Sequence, residues 1–321
     1  MGKVNDMKLF ITGISGRLGL NMALQARERF QISGCYYAHP VALDGFQPLL
    51  LDATSFGPLS QVLGQVRPNV IVHTAGLTNV DECEADPITA YRLNVETAQH
   101  VARVARALGA QLVHISTDHL FDGTKPWQTE EDSPTPLNVY AKTKWQAEQA
   151  VREACPDALV IRTNFFGWGT SVRTSFSDWI LHYLENSRDL TMFSDVFFTP
   201  ILINDLVEFI LDLVAHQAKG IFHVAGGERL SKYSFALQIA EQFGYQTDRI
   251  RAISVEDFPF QARRPKDMSL SSGKVESCLQ VRMPSVAEGL ERLRHLRERG
   301  WQQTLEQALQ GRSFPSEFST R

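Results

Sequence analysis

The sequence predicts an α/β fold: a doubly wound parallel sheet with a smaller C-terminal substrate-binding lobe. Three observations predict it. Short apolar runs alternate with helical patterns through the first half of the chain. The first run ends in a glycine turn, Gly13, Gly16 and Gly19, which opens a helix. Later runs end in small residues, at Thr74, Ala75 and Gly76 and at Ser116 and Thr117. Ligands of such sheets bind outside the carboxyl ends of the strands, so these ends can converge on one site.

Residues 8–12 form the first strand. In the turn that follows, glycines serve a tight bend, close approach of backbone to a phosphate, and close packing of helix on strand. The helix start offers free N–H groups and the positive end of its dipole to a pyrophosphate. Gly13, Ser15, Gly16, Arg17, Leu18 and Gly19 are therefore candidate cofactor-binding residues. A glycine-rich turn without a ligand is the alternative. Residues 32–37 form the second strand. An acid about 20 residues past the turn would hold a ribose 2′-hydroxyl, but the chain has Ala38, His39 and Pro40 there. This favours NADP(H) over NAD(H), with His39 or Arg17 placed to contact a 2′-phosphate. Arg17 is equally well read as an exposed helix-start residue.

Residues 49–51 form the third strand, and Asp52 follows. Asp52 either meets an adenine amino group or opens the turn and caps the next helix. Residues 69–73 form the fourth strand, and Ala75 and Gly76 leave room for a cofactor over its end. One long helix is expected from Pro87 through Leu108, with Asn94 inside it, where Asn is a poor helix former. Residues 112–115 form the fifth strand, which runs into Ser116, Thr117, Asp118 and His119. After an acidic loop broken by proline, a helix carries Tyr140 and Lys144. Residues four apart share a helix face. A neighbouring ammonium favours a phenolate and lowers the tyrosine pKa, one route to an acid/base that works near neutral pH. On spacing alone, the pair is also what a solvated helix face would show.

A sixth strand spans residues 159–162. Helices are expected near residues 176–184, 204–215 and 231–243, and a strand at 221–224 that rejoins the sheet. Residues 1–165, with 190–225 returning, are the expected dinucleotide-binding domain. Residues 166–189 and 226–321 are the expected substrate lobe. Arg263, Arg264 and Lys266 form a basic loop around Pro265, either a solvated turn or a clamp for a substrate phosphate. Two amphipathic helices, near residues 286–299 and 304–309, precede a tail, 311–321, expected to be mobile.

The 321 residues are 43% hydrophobic and 21% charged, as in soluble globular proteins. A formal net charge of −4 gives no reason to expect nucleic acid or an anionic membrane as partner. The four cysteines are scattered, with no CxxC and no His/Cys cluster. No metal site or disulfide framework is expected, and reduced thiols fit a cytoplasmic location. No targeting segment is visible at the start of the chain. No apolar run approaches the ~18 residues of a membrane span.

These residues together resemble the extended short-chain dehydrogenase/reductase family, a Rossmann-type fold, and within it the dTDP-4-dehydrorhamnose reductases. The matching stretches are residues 12–19, 79–84, 93–95, 116–123 and 136–140, with Lys144, Arg162, Thr163, Arg264 and Pro265. The resemblance implies hydride transfer from NADPH to a carbonyl of a 4-keto-6-deoxy sugar nucleotide, a step of deoxysugar biosynthesis. It implies Tyr140 as proton donor and Lys144 as the group that holds the nicotinamide ribose. It further implies that Thr117 bonds the carbonyl oxygen, that Asp118 orients the sugar and that Asn94 shapes the site, although Asn94 could equally be a helix residue bonded to nearby backbone. His119 stands where the family has Tyr, and Phe165 where it often has Trp. Phe198 and Ile201 replace residues of the usual substrate wall. With Arg264, these are the expected substrate contacts. A sugar-nucleotide epimerase or dehydratase is the nearest alternative. Another is a non-catalytic, NADP-binding regulatory subunit of a synthetase, since methionine adenosyltransferase beta subunits are similar. A homodimer is left open.

Overall fold

A computed structural model describes residues 7–42 and 46–310. The tail expected to be mobile and the first residues of the chain lie outside this range. The chain runs β1 (Lys8–Thr12), α1 (Arg17–Ala26), β2 (Gln31–Tyr36), β3 (Gln47–Leu50), α2 (Phe56–Val66) and β4 (Val70–His73). It continues through α3 (Val80–Ala85), α4 (Pro87–Tyr91), a π-helical turn (Arg92–Glu96), α5 (Thr97–Leu108), β5 (Gln111–Ile115), α6 (Val139–Ala154) and β6 (Leu159–Arg162). Next come β7 (Phe165–Phe166), α7 (Phe176–Glu185), β8 (Leu190–Phe193), β9 (Phe197–Phe198), β10 (Ile201–Leu202), α8 (Ile203–Ala215) and β11 (Gly220–His223). The last elements are β12 (Leu230–Ser231), α9 (Lys232–Phe243), β13 (Ile250–Ile253), α10 (Gly273–Leu279), α11 (Val286–Glu298) and α12 (Trp301–Gln310).

Seven parallel strands form one sheet in the order β11-β6-β5-β4-β1-β2-β3. Leu9, Phe10 and Ile11 of β1 are all fully buried. That is the reason the strand reads as an unbroken apolar run: helices cover both faces of the sheet. Alternate residues enter different cores. Leu9, Ile11, Val70 and Val72 join α1 and α8 on one face. Phe10, Ile71, Leu112 and Val160 join α2, α5 and α6 on the other. β11 is the edge strand that the sequence places back in the sheet. Of residues 190–225, α8 packs on α1, whereas β8 and β9 pair with β13 and β12, outside the seven-stranded sheet.

The helix expected across residues 87–108 is broken. α4 gives way to the π-turn Arg92–Glu96 before α5 begins. The cause lies at Asn94. Its Oδ1 accepts from the Leu77 N–H (2.8 Å), and its Nδ2 donates to Leu77 O and Thr143 Oγ1, each at 3.1 Å. Drawing that amide inward adds a residue to the turn, as π-bulges often do near functional sites.

The second core face holds a buried charge pair. Arg162 on β6 donates from Nε and Nη2 to the Glu148 carboxylate of α6, the shortest contact being 2.8 Å, and both side chains are 3% exposed. His223 accepts at Nε2 from Arg162 Nη1 at 3.3 Å, and its Nδ1 donates to Gln128 O. Burial, then the Arg162 charge, pulls the His223 pKa down to about 3, so the ring stays neutral and tolerates the guanidinium.

Candidate active site

The glycine turn has the shape that a pyrophosphate requires. Gly13 has φ +68, and a Cβ there would lie 2.9 Å from Ala75 Cα. A Cβ on Gly19 would lie 2.5 Å from Gly13 O and 2.8 Å from Ile14 Cα. Backbone therefore meets backbone, which only glycine allows. α1 begins at an N-cap, Gly16, that makes no side-chain cap hydrogen bond, and its first turn has no acid. An uncapped helix start beside a glycine bend fits a dinucleotide pyrophosphate. Gly19→Ala is expected to force α1 off β1, costing about 1–3 kcal/mol as other overpacked sites do. A urea midpoint unchanged from the parent protein would contradict this.

Around that turn the sequence-predicted residues divide. Leu18 is buried at 4% exposure, so it offers only its backbone. Ser15 is partly buried in the bend and Gly76 is exposed beyond β4. Arg17 leans away from the end of β2. Its guanidinium lies 5.8 Å from the Phe165 ring, and Asp178, Arg173 and Tyr140 act on its charge. It therefore faces the cleft between turn and lobe, whereas His39, the other residue expected at a 2′-phosphate, is partly buried beyond β2. Asp52 is exposed, and its Oδ1 accepts from Thr54 N–H and Oγ1 at 2.9 and 2.7 Å. Of its two sequence readings, the structure shows the turn-opening one. Of the two readings of Asn94, the structure shows the one bonded to nearby backbone. Its two amide hydrogens and its oxygen are all engaged by Leu77 and Thr143, so it clamps the β4 loop to α6.

α6 presents the reactive pair. Asn138 caps the helix by accepting from Ala141 N–H at 2.9 Å, while its Nδ2 donates to Arg263 O at 2.9 Å. One residue thus starts the helix and ties it to the basic loop. Glu84 accepts from Val139 N–H at 3.0 Å, placing a carboxylate at the positive end of the helix dipole. Tyr140 and Lys144 follow on one buried face, at 8% and 7% exposure. Lys144 Nζ donates to Ile115 O at 2.7 Å, which leaves other N–H groups free. Burial pulls its pKa down to about 8, against the opposing charge of Glu148.

One expectation about this pair is overturned. The Tyr140 pKa is raised and not lowered. Burial pushes it up to about 12, with Asp118 and Cys83 adding to the rise, while a hydrogen bond with Thr117 and the Arg17 charge oppose it. The Lys144 ammonium is instead turned onto the Ile115 carbonyl. Tyr140 is therefore a neutral phenol at neutral pH, the protonation state of a proton donor.

Thr117 and Asp118 follow β5. Thr117 Oγ1 donates to Asp118 Oδ1 at 3.2 Å, and Asp118 Oδ2 accepts from Asn164 Nδ2 at 2.6 Å. His119 lies edge-on to Tyr140, with ring centroids 5.6 Å apart. Its Nδ1 is buried with no partner among the described residues. Burial holds the His119 pKa low, against Asp118. Phe165 is partly buried under Arg17. Phe198 and Ile201, expected as substrate contacts, are each 1% exposed. They are corrected to core residues behind the cleft wall. Arg264 donates from Nη2 to Asp81 Oδ2 at 2.8 Å and lies over Phe260, and its Nη1 is buried with no partner among the described residues. It borders a surface cavity of about 430 Å³ lined by Phe258, Phe260, Arg263 and Lys266. Among the described residues no group of His, Cys, Asp and Glu could hold a metal ion, and no helix is long and apolar enough to cross a membrane.

Sequence reasoning missed two residues of this cleft. Asn164 fixes Asp118, and a neutral Asn just past a strand carries no signal of its own. Lys232 begins α9, with Nζ 3.3 Å from the Phe198 ring centroid and 4.8 Å from that of Phe176. Its signal was a lone lysine opening a helical stretch whose only other charge is Glu241.

Comparison with known proteins gives four likenesses. The family model "RmlD substrate binding domain" matches residues 7–297. The spore coat polysaccharide biosynthesis protein SpsK of Bacillus subtilis is 30% identical over 310 residues, 95% of this chain and 98% of that protein. Methionine adenosyltransferase 2 subunit beta of Rattus norvegicus is 31% identical over 295 residues, 85% of this chain and 83% of that protein. A dTDP-4-dehydrorhamnose reductase from Bacillus anthracis, solved in complex with NADP, superposes with a TM-score of 0.82 at 28% identity, covering 91% of this chain and 99% of that one.

Proposed function

The chain belongs to the RmlD substrate binding domain family, of the extended short-chain dehydrogenase/reductase type, and from that premise we propose that it reduces a 4-keto-6-deoxy sugar nucleotide with NADPH. The observation that carries the reading is the buried Tyr140 phenol, one helical turn from the Lys144 ammonium, with Thr117 acting on it. A nicotinamide cofactor held at the glycine turn supplies the hydride. Tyr140 gives its Oη proton to the carbonyl oxygen as that oxygen gains charge. Thr117 donates a hydrogen bond to the same oxygen. Lys144 holds the cofactor ribose with the N–H groups that Ile115 O leaves free. Asp118, pinned by Asn164, orients the sugar from the side of His119. The preference for NADPH rests on residues 36–40, which include no carboxylate and place His39 beyond β2. In this reading residues 1–165, with α8 and β11, bind the dinucleotide, and the remaining C-terminal elements bind the sugar nucleotide.

The test is loss of NADPH absorbance when a dTDP-4-keto-6-deoxyhexose is added. Absence of turnover with every such substrate, while NADPH still binds, would count against the reading. The Lys144 pKa of about 8 gives a pH signature. Below that pH the ammonium is present, and above it the side chain is neutral and holds the ribose less well. Tyr140, at about 12, stays protonated throughout. The value of kcat/KM is expected to fall as pH rises through about 8. A profile flat to pH 9.5 would remove the Lys144 charge from the mechanism.

A second reading follows from the 31% identity with a methionine adenosyltransferase beta subunit. Stable co-purification with a synthetase, together with no turnover, would favour it.

A further inference from the structure

Lys232 is held in place from both ends. Its backbone N–H donates to Val196 O at 2.9 Å. The Ser231 side chain beside it caps α9 by accepting from Ser234 N–H at 3.0 Å. The ammonium lies 3.3 Å from the Phe198 ring centroid and 4.8 Å from that of Phe176. Phe198 is itself locked edge-on against Phe235 at 5.4 Å. The platform beneath the cation is thus rigid, and aromatic faces attract a cation most when water is scarce.

Rings alone do not neutralise a charge. Two nearby cations of the same lobe also sit over rings, and each has an acid. Arg229 lies over Phe197 and pairs with Asp267 at 2.5 Å, and Arg264 lies over Phe260 and pairs with Asp81 at 2.8 Å. Lys232 has no carboxylate at ion-pair distance among the described residues. The acid acting on it is Asp118, whose oxygens already accept from Asn164 at 2.6 Å and Thr117 at 3.2 Å. Lys232 and Arg264 both act on His119, and both the His119 Nδ1 and the Arg264 Nη1 are buried without partners among the described residues. Three groups with unused hydrogen-bonding capacity therefore gather around His119, which packs on Tyr140. Lys232 is half-buried, and an ammonium set over rings without an acid gains from an anion that completes it.

We propose that Lys232 is an anion-recognition residue of the substrate cleft, its ammonium set on Phe198 and Phe176 to receive a phosphate or carboxylate oxygen of the bound molecule. The proposal rests on the sugar-nucleotide reading for the nature of that molecule, although not on turnover. The diphosphate and an acidic substituent on the sugar ring are the two sources of such an oxygen. A charge-assisted hydrogen bond of this kind is worth about 1.5–3 kcal/mol, or roughly 10- to 100-fold in affinity.

The experiment is calorimetric titration of NADP⁺-loaded protein, as wild type, Lys232→Met and Lys232→Gln, with dTDP-glucose, inorganic pyrophosphate and UDP-glucuronate. NADP⁺ affinity, measured first, reports whether each variant is folded. It also separates failure of the cofactor reading from failure of this one. Both variants are expected to bind at least one probe about 10- to 100-fold more weakly than wild type, with NADP⁺ affinity unchanged. Loss against dTDP-glucose and pyrophosphate assigns Lys232 to the diphosphate. Loss against UDP-glucuronate alone assigns it to a sugar carboxylate. Equal affinity of wild type and variants for all three probes, including no measurable binding by any of them, overturns the proposal. So does an equal loss of NADP⁺ affinity, since that reports a structural role.

Discussion

Tyr140→Phe is expected to lower kcat by about 10²- to 10⁴-fold, the usual share of general acid catalysis, while leaving NADPH affinity within about twofold. At 1.36 kcal/mol per tenfold, that is about 3–5 kcal/mol of transition-state stabilisation. The geometry explains the size. Thr117 still hydrogen-bonds the carbonyl oxygen, but an alcohol is a far weaker acid than a phenol and does not transfer its proton. Lys144 remains too, yet it is anchored to Ile115 O and sits one helical turn from the phenol. His119 packs edge-on to Tyr140 but is held neutral by burial. None of these replaces a phenol that is neutral and buried in contact with the cleft. Phenylalanine has the same shape, so Cys83 and Ala90, which share the Tyr140 cluster, keep their packing. Stopped-flow mixing with substrate and a fluorescence titration with NADPH together make the measurement. Full activity in the variant would remove Tyr140 from the mechanism.

Glu148→Ala is expected to destabilise the protein by about 3–5 kcal/mol, the cost of leaving a buried partner charge uncompensated. Arg162 is 3% exposed and would lose the bonds from Nε and Nη2. It would then face neutral His223 and the Phe121 ring, 5.6 Å away, and neither supplies a negative charge. The urea midpoint measures the loss. A double variant, Glu148→Leu with Arg162→Met, is expected to recover most of it, because the desolvation cost of both charges disappears. A single-variant loss under about 1 kcal/mol, the range of a solvated pair, would contradict the account. The effect reaches the site as well. Glu148, Lys144 and Tyr140 occupy successive turns of α6, and the Glu148 charge opposes the fall of the Lys144 pKa.

The central strands β1, β4, β5 and β6 were legible because both their faces are buried, so their apolar runs are nearly continuous. The glycine turn was legible because Gly13 and Gly19 sit where a Cβ would strike backbone. The two-residue strands β7, β9, β10 and β12 were not, since two residues have no period. The π-turn at Arg92–Glu96 was not legible either. It exists because Asn94 bonds Leu77, 17 residues away, and Thr143, 49 residues away, and no local pattern encodes those partners. The sequence named residue types for the site and carried little about their environments. Spacing placed Tyr140 and Lys144 on one face. It could not show that burial would outweigh the Lys144 charge, nor that Asn94 would spend its amide on the protein. Phe198 and Ile201 were expected at the wall because their sequence neighbours suggested it, but their depth depends on β9 and β10 pairing outside the sheet.

The most direct test of the central claim follows the hydride. NADPH deuterated at its transferable position is incubated with a dTDP-4-keto-6-deoxyhexose, and the sugar product is analysed by mass spectrometry and NMR. Stoichiometric deuterium at the carbon of the former ketone, with NADP⁺ released, is the predicted result. Product formed with no net NADPH consumption, or a cofactor that keeps its deuterium, would contradict it and point to a cofactor-recycling epimerase or dehydratase.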